Sequence, residues 1–318
     1  MMLQKNKNDT VFVQDAGCET PVRTAPLVSV LISAYNHAKY VEKTIDSIMQ
    51  QTYRNFELLV IDDGSRDDTV SVLRKCEEKW GRSFLVESQA NMGVCKTANK
   101  LLGLAQGEYI TWIASDDWML PEKLELQVNY LNLHPEAGVI HSDCQIFMEK
   151  KNRLVNSGRR KPVPSGWVFN DLLAGNFITA CTAMIRSDCY KRVGLYDDSL
   201  VIEDWDMWLR IAREFEIHYM DIPTAVYRIH GKNTSDLMLF EMLQSIKALI
   251  LKHCRDEAVT NIHLLNVELG ELNYYAITDA KRAEATFRKL ASHWYTFRYL
   301  KAIPKYLLLR TKLLGLFR

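Results

Sequence analysis

Apolar, β-branched runs alternate with amphipathic stretches through the first third of the chain. Pro26–Ser33, Phe56–Ile61, a shorter run near Ser83–Glu87 and the run from Tyr109 predict strands. Between them, Val41–Gln51 sets Ile45, Ile48 and Met49 on one face, a second helix starts at Arg66–Thr69, and a third covers Val94–Ala105. Asp67, Asp68 and Thr69 suit a first helical turn, and Gly107 follows the third helix as a stop. Pro121–Glu125 reads as the start of another helix, with proline in its first turn. Strands separated by helices of about 10–15 residues imply parallel βαβ units. Right-handed crossovers then bring the strand tips to one edge of the sheet. The expected fold class is α/β, with a mixed, mainly parallel central sheet, flanking helices and a C-terminal helical appendage.

After Leu133 the rhythm changes. Gly138–His141 predicts a strand, Met148–Ser165 a hairpin or loop, Trp167–Ala174 a helix and Phe177–Ile185 another strand. Asp206–Phe215 is amphipathic and predicts a helix; Ile217–Met220 and Ala225–Ile229 predict short strands. From Ser235 the pattern is helical, with Leu237–His253 and Asn261–Ile277 as a helical hairpin. The last stretch, 287–318, holds eight Lys or Arg and no Asp or Glu, interleaved with aromatic and leucine residues. Such a tail suits an anionic membrane surface, or else is a basic helix packed on the domain. The expected organisation is a loose extension over 1–25, an α/β domain over 26–232 and a helical region over 233–318.

Composition narrows the function classes. The chain has 318 residues, 47% of them apolar, and a formal net charge of +1. That balance gives no case for a nucleic-acid binder. The seven cysteines are scattered with no CxxC pair, which speaks against a zinc ribbon and fits a reducing cytoplasm. No stretch reaches the roughly 18 apolar residues of a membrane span, and the N-terminus lacks a signal-type apolar core. The expected location is cytoplasmic, with the tail allowing peripheral contact with the inner face of the membrane.

Three strand tips carry polar clusters: Tyr35-Asn36, Asp62-Asp63 and Asp116-Asp117. Ligands of open α/β sheets sit beyond the carboxyl ends of strands. Two adjacent carboxylates repel and need a cation, hydrogen bonds or a shifted pKa. A divalent metal bridging carboxylate and phosphate oxygens meets that need; the plainer alternative is a turn that caps the next helix. No GxGxxG or GxxxxGK[ST] occurs, so phosphates fall to metal and side chains. Glu203-Asp204-Trp205-Asp206 forms a second acid cluster at a helix start, where capping is the competing role. In Arg228-Ile229-His230-Gly231, imidazole suits a metal and guanidinium a phosphate; a structural histidine is the alternative.

Taken together, these clusters resemble the family-2 glycosyltransferases of the GT-A, Rossmann-like type. The resemblance runs in order through Val28–Asn36, Ile61–Thr69, Asn91-Met92-Gly93, Ser115-Asp116-Asp117, Glu203–Asp206 and Tyr227–His230, and covers about residues 26–232. One departure is Ala114, where many relatives carry an acid. The resemblance implies an inverting transfer of sugar from a nucleotide-diphosphate sugar, a UDP-sugar above all. The acceptor is a hydroxyl of a glycan or lipid-linked glycan, such as a bacterial surface polysaccharide of the O-antigen or capsule kind. It implies that Ala34 and Tyr35 line the base pocket, that Asp62 or Asp63 accepts from the nucleobase, and that Asn36 and Asn91 belong to the donor site. Asp116 faces the ribose or sugar; Asp117, with His230, takes Mn²⁺ or Mg²⁺; Arg228 closes over the phosphates. Asp204 is the expected general base, and Trp118, Glu203 and Trp205 the expected acceptor contacts, with core packing as the alternative for both tryptophans. A sugar nucleotidyltransferase and a catalytically silent nucleotide-sugar binder are the competing functions. The first usually brings a glycine- and base-rich loop after the first strand, which Ser33–His37 is not.

Overall fold

In a computed structural model of the chain, residues 11–12, 21–22, 25–81, 84–157, 162–231, 233 and 238–290 are described. They form two compact units. The first comprises Met1–Val168, Phe177–Tyr196 and Ile211–Arg228; the second comprises Phe169–Asn176, Asp197–Arg210 and Ile229–Arg318.

The first unit opens with the predicted alternation: β1 (Val28–Ala34), α1 (Val41–Met49), β2 (Phe56–Asp62), α2 (Thr69–Lys79), β3 (Leu85–Ser88), α3 (Val94–Leu104) and β4 (Tyr109–Trp112). β1 pairs in parallel with both β2 and β4, and β2 with β3. In register, Ala34 faces Asp62 and Asp62 faces Ser88, so the polar tips fall on one edge. Val28, Val30, Ile32, Val60 and Ile61 are fully buried. Each such side chain contributes about 1.5–3 kcal/mol relative to exposure, which explains why these strands are apolar on both faces.

β5 (Trp118–Met119), α4 (Lys123–Leu133), β6 (Ala137–Met148), β7 (Arg153–Asn156), β8 (Met184–Arg186), α6 (Ser187–Val193) and β9 (Glu216–Ile229) complete it; α5 (Phe169–Ala174) belongs to the second unit. The order is β3-β2-β1-β4-β8-β6-β9-β5 with β7 on β6, which makes a nine-stranded sheet among the described residues. β8 lies antiparallel to β4 and β6, which makes the sheet mixed.

Several elements depart from the pattern-based expectation. β6 runs twelve residues rather than four and turns through Glu149–Lys151 into β7, so part of the Met148–Ser165 segment is a hairpin. The expected strand Phe177–Ile185 is mostly a turn. Thr182 donates its N–H and hydroxyl to the Thr179 carbonyl at 2.8 and 2.7 Å, a local bond that competes with the ladder. The two expected short strands around Pro223 are one continuous strand of 14 residues.

In the second unit, α7 (Glu203–Ile211) begins three residues earlier than expected. α8 (Leu239–His253) and α9 (Glu257–Thr278) form the predicted helical pair, and α10 (Ala280–Leu290) follows. Leu269, Leu272, Ala276, Ala283 and Leu290 form its core, with Phe287 packed against them. The first turn of the basic tail is therefore helix packed in this unit. The rest of the tail, 291–318, and most of the expected extension over 1–25 (1–10, 13–20 and 23–24) lie outside the described residues; within the extension Val11–Phe12 pairs antiparallel with Pro21–Val22. No described helix is long and apolar enough to cross a membrane.

Candidate active site

The Ser115-Asp116-Asp117 turn is held from two sides. From α1, the Thr44 hydroxyl reaches the carbonyls of Ser115 and Asp117 at 3.0 and 2.6 Å. From β9, Arg228 Nε donates to the Asp116 carbonyl at 2.7 Å, and the Arg228 N–H donates to Asp117 Oδ1 at 2.8 Å. All three carbonyls of the turn thus have protein donors. A diacid turn would otherwise sample many conformers; here its backbone is preorganised.

The two carboxylates differ in surroundings. Asp117 is 2% exposed. Burial first, and the charge of Asp116 second, push its carboxyl well above the usual range, against the bonds from Arg228 and the Cys181 thiol. Asp116 lies beside His37: Nδ1 is 4.0 Å from its Oδ1 and 2.7 Å from the Ser115 hydroxyl. The Cys181 thiol is itself pushed far up, by burial and then by Asp117, so it presents no thiolate. The donor set at this turn is oxygen and imidazole nitrogen, which fits Mn²⁺ or Mg²⁺.

At the tip of β2 the two aspartates are largely satisfied by the protein. Asp62, fully buried, accepts from the Ser65 N–H at 3.1 Å, the Ser88 hydroxyl at 3.2 Å and the Ser65 hydroxyl. Asp63 accepts from Gln89 Nε2 at 3.0 Å, the Met92 N–H at 2.9 Å and the Gly93 N–H at 2.8 Å. Burial opposes its charge, but bonds from Gln89, Met92, Thr97 and Gly93 outweigh it and hold the carboxyl below its ordinary range. A carboxylate offers about four acceptor positions, so Asp62, with three donors, retains room for roughly one more, while the four donors to Asp63 fill its set. Asn91 Nδ2 donates to the Asp63 carbonyl at 2.8 Å. Gly64 next to it has φ +76°, and a Cβ there would stand 2.7 Å from the Asn91 nitrogen. Only glycine lets the two loops meet.

In the loop after β1, Asn36 takes a left-handed conformation, φ 54°, with its side chain accepting from the Arg66 N–H at 2.8 Å. Tyr35 is 42% exposed and Ala34 is buried. The Arg228 guanidinium is boxed by aromatics, 4.7 Å from the Tyr40 ring centre, 4.9 Å from Trp118 and 5.4 Å from Phe147. Lys43 Nζ lies 3.4 Å over Trp118, and its ammonium is lowered by burial first and by Arg228 second. Trp118 is therefore a half-buried member of a cation–aromatic cluster.

In the second unit, Glu203 and Asp204 open α7, both half-buried. Burial raises the Asp204 carboxyl, partly offset by the Trp205 N–H at 2.7 Å and Asn176 Nδ2 at 3.5 Å. Burial and then the Asp204 charge push Glu203 up to about 8. Trp205 Nε1 donates to the Leu172 carbonyl at 2.8 Å, which ties the indole to α5. Asp206 is the anchor of the helix: Arg210, Lys252 and His253 each reach it at 2.8 Å. Despite burial, those three bonds hold its carboxyl far below the ordinary range. The His230 N–H donates to Asn233 Oδ1 at 3.0 Å.

The first unit thus holds Ala34, Tyr35, Asn36, Asp62, Asp63, Asn91, Asp116, Asp117, Trp118 and Arg228 at or near one sheet edge; Glu203, Asp204, Trp205 and His230 belong to the second. Sequence reading passed over His37, Thr44 and Lys43. The signal for His37 was its place directly after Tyr35-Asn36; Thr44 and Lys43 gave none, because they look like ordinary helix residues.

Residues 29–193 match the model of glycosyl transferase family 2. A glycosyltransferase of Rickettsia typhi is 30% identical over 222 residues, 69% of each chain. One from Haemophilus influenzae is 26% identical over 282 residues, 86% of each. Among solved structures, Staphylococcus aureus TarS with UDP-GlcNAc aligns at a TM-score of 0.60 and 18% identity, over 89% of this chain and 81% of that one. The mannosyltransferase PcManGT of Pyrobaculum calidifontis, with GDP-Man and Mn²⁺, aligns at 0.59 and 17%, over 91% and 87%. The fold, the ordered polar tips and the family match agree: this chain belongs to glycosyl transferase family 2 and is a glycosyltransferase.

Proposed function

We propose that the enzyme moves a sugar from a UDP-sugar to a hydroxyl of a glycan or lipid-linked glycan, with inversion at the anomeric carbon. The observation that carries this reading is the registered acidic edge, with Asp62-Asp63 at the tip of β2 and Asp116-Asp117 beyond β4. The UDP and UDP-GlcNAc complexes of TarS favour uridine as the base.

Asp62 or Asp63 accepts from the base N–H beside exposed Tyr35, Asp62 at its remaining acceptor position or Asp63 in exchange for a protein donor. Asp116 and His37 hold the cation, and Asp117 backs the turn. This shifts the cation's carboxylate from Asp117 to Asp116, because Asp117 already serves Arg228 and Cys181. His230 remains a candidate ligand. A bound Mn²⁺ or Mg²⁺ supplies charge neutralisation for the departing diphosphate. Arg228 positions Asp116 and Asp117 instead of gripping phosphate.

Asp204 acts as general base. It takes the proton of the acceptor hydroxyl as that oxygen bonds to the anomeric carbon and the bond to the diphosphate breaks, releasing UDP. Its carboxyl, raised by burial, is a stronger base than an ordinary carboxylate. The basic stretch 287–318 brings the enzyme to lipid headgroups; liposome co-sedimentation with and without these residues tests that, and equal pelleting refutes it.

The test of function is UDP release from a panel of UDP-sugars with glycan acceptors. Asp204→Asn is expected to lower turnover by about two orders of magnitude or more while UDP still binds. Unchanged turnover in that variant removes Asp204 from the reaction.

A further inference from the structure

We propose that His134, Glu136, Glu216 and His218 form a second divalent-metal site, of zinc type, that staples β9 to the turn between α4 and β6. It does not depend on the proposed transfer reaction. The ligating atoms of His134, Glu136 and His218 lie within 4.8 Å of one another. His134 Nδ1 is 3.0 Å from Glu136 Oε1, and His218 Nε2 is 2.9 Å from Glu216 Oε2. Ligands at about 2.0–2.2 Å from one tetrahedral ion stand roughly 3.3–3.5 Å apart. Both nitrogen–oxygen pairs are already near that spacing; Glu216 stands outside the three-residue group, and rotation of the Glu216 and Glu136 side chains completes the set.

The framework around the four residues is fixed. The His134 N–H donates to the Tyr130 carbonyl at 3.0 Å, and the His134 carbonyl accepts from Ala137 at 3.1 Å and from Arg186 Nη2 at 3.2 Å. Glu216 and His218 alternate by two on β9 and so share a face. Tyr130 serves both imidazoles: its hydroxyl is 3.0 Å from His218 Nδ1, and its ring stacks on His134 at 4.3 Å. With Nδ1 on the Tyr130 hydroxyl, Nε2 of His218 meets Glu216, an outer contact of the kind that fixes imidazoles at zinc sites. Two imidazoles and two carboxylates suit Zn²⁺ or Co²⁺ over the harder Mg²⁺, and the two negative charges match the ion. The staple acts on the strand whose far end carries Arg228.

The test is a Co²⁺ titration of the full chain after chelation, read by visible absorption of tetrahedral cobalt, with Zn²⁺ bound at equilibrium dialysis measured in parallel. The wild type is expected to take up one equivalent that His134→Gln/His218→Gln does not. Asp116→Asn keeps that equivalent, which separates it from the donor site. Should the double variant fail to fold, Glu136→Gln decides, because its side chain is at the surface; it is expected to weaken binding by about tenfold or more. Equal uptake by wild type and folded double variant, wild-type affinity in Glu136→Gln, or no uptake by the wild type refutes the site and leaves two histidine–carboxylate hydrogen bonds.

Discussion

Arg228 and Asp117 are joined through the main chain: the Arg228 N–H donates to Asp117 Oδ1 at 2.8 Å, while the guanidinium turns to the Asp116 carbonyl. Side-chain substitution therefore leaves the Asp117 bond in place and removes only the second. Arg228→Met is expected to lower stability by about 1–3 kcal/mol, from a buried charged hydrogen bond lost at one partner. UDP affinity at saturating Mn²⁺ changes far less. Thermal unfolding and UDP titration on the same variant check this; a large loss of UDP affinity at unchanged stability would mean that Arg228 grips phosphate.

The two acids of the turn are predicted to respond differently. Asp117 is buried, burial and the Asp116 charge raise its carboxyl, and its Oδ1 accepts the Arg228 N–H, so the amide oxygen of Asp117→Asn accepts that N–H in its place. Asp116→Asn removes a charge that faces His37. Turnover at saturating Mn²⁺ should fall at least about tenfold further in Asp116→Asn than in Asp117→Asn. The reverse order assigns the cation to Asp117.

The acid limb of the pH–rate profile follows from Asp204. The base must be unprotonated, and burial raises its pKa, so the inactive protonated form persists to higher pH than for an ordinary aspartate. Turnover is therefore lost as pH falls through a value above the usual range near 3.9. Any further inflection near 8 belongs to Glu203 and disappears in Glu203→Gln, while the acid limb remains. A limb at the ordinary value, or one abolished by Glu203→Gln, contradicts the assignment of Asp204.

Lys123 lies fully buried beneath the site, with Nζ 3.0 Å from Thr111 Oγ1 and 2.6 Å from Gln127 Oε1. Burial lowers its ammonium to about 7, below its value in the unfolded chain. The unfolded state then binds the extra proton between about pH 7 and 10.5, so this group adds stability as pH rises, at up to about 1.4 kcal/mol per pH unit. Denaturant midpoints from pH 7 to 9 should rise more steeply in the wild type than in Lys123→Met. Parallel curves would show that the lysine titrates alike in both states.

Much of the fold was legible because β1, β2 and β4 are mainly apolar and lead into polar clusters, Tyr35-Asn36, Asp62-Asp63 and Asp116-Asp117, and helix-period stretches separate them. The antiparallel half was less so. Pro223 and exposed Asp221-Ile222 resemble a break, yet β9 passes through them, because tertiary pairing outweighs local preference. The acids of the site were visible as adjacent charges. What divides their labour was not. Neither the bond of Thr44 to the turn nor the box around Arg228 has any sequence signature, since both join residues at least 70 positions apart.

The most direct measurement is calorimetric titration of UDP into wild type and Asp116→Asn, each with and without Mn²⁺. Tight binding is expected only for the wild type with the cation, weakening at least about tenfold when either the cation or the Asp116 carboxylate is removed. Equal UDP affinity in all four titrations would contradict a metal-assisted nucleotide-sugar site at this sheet edge.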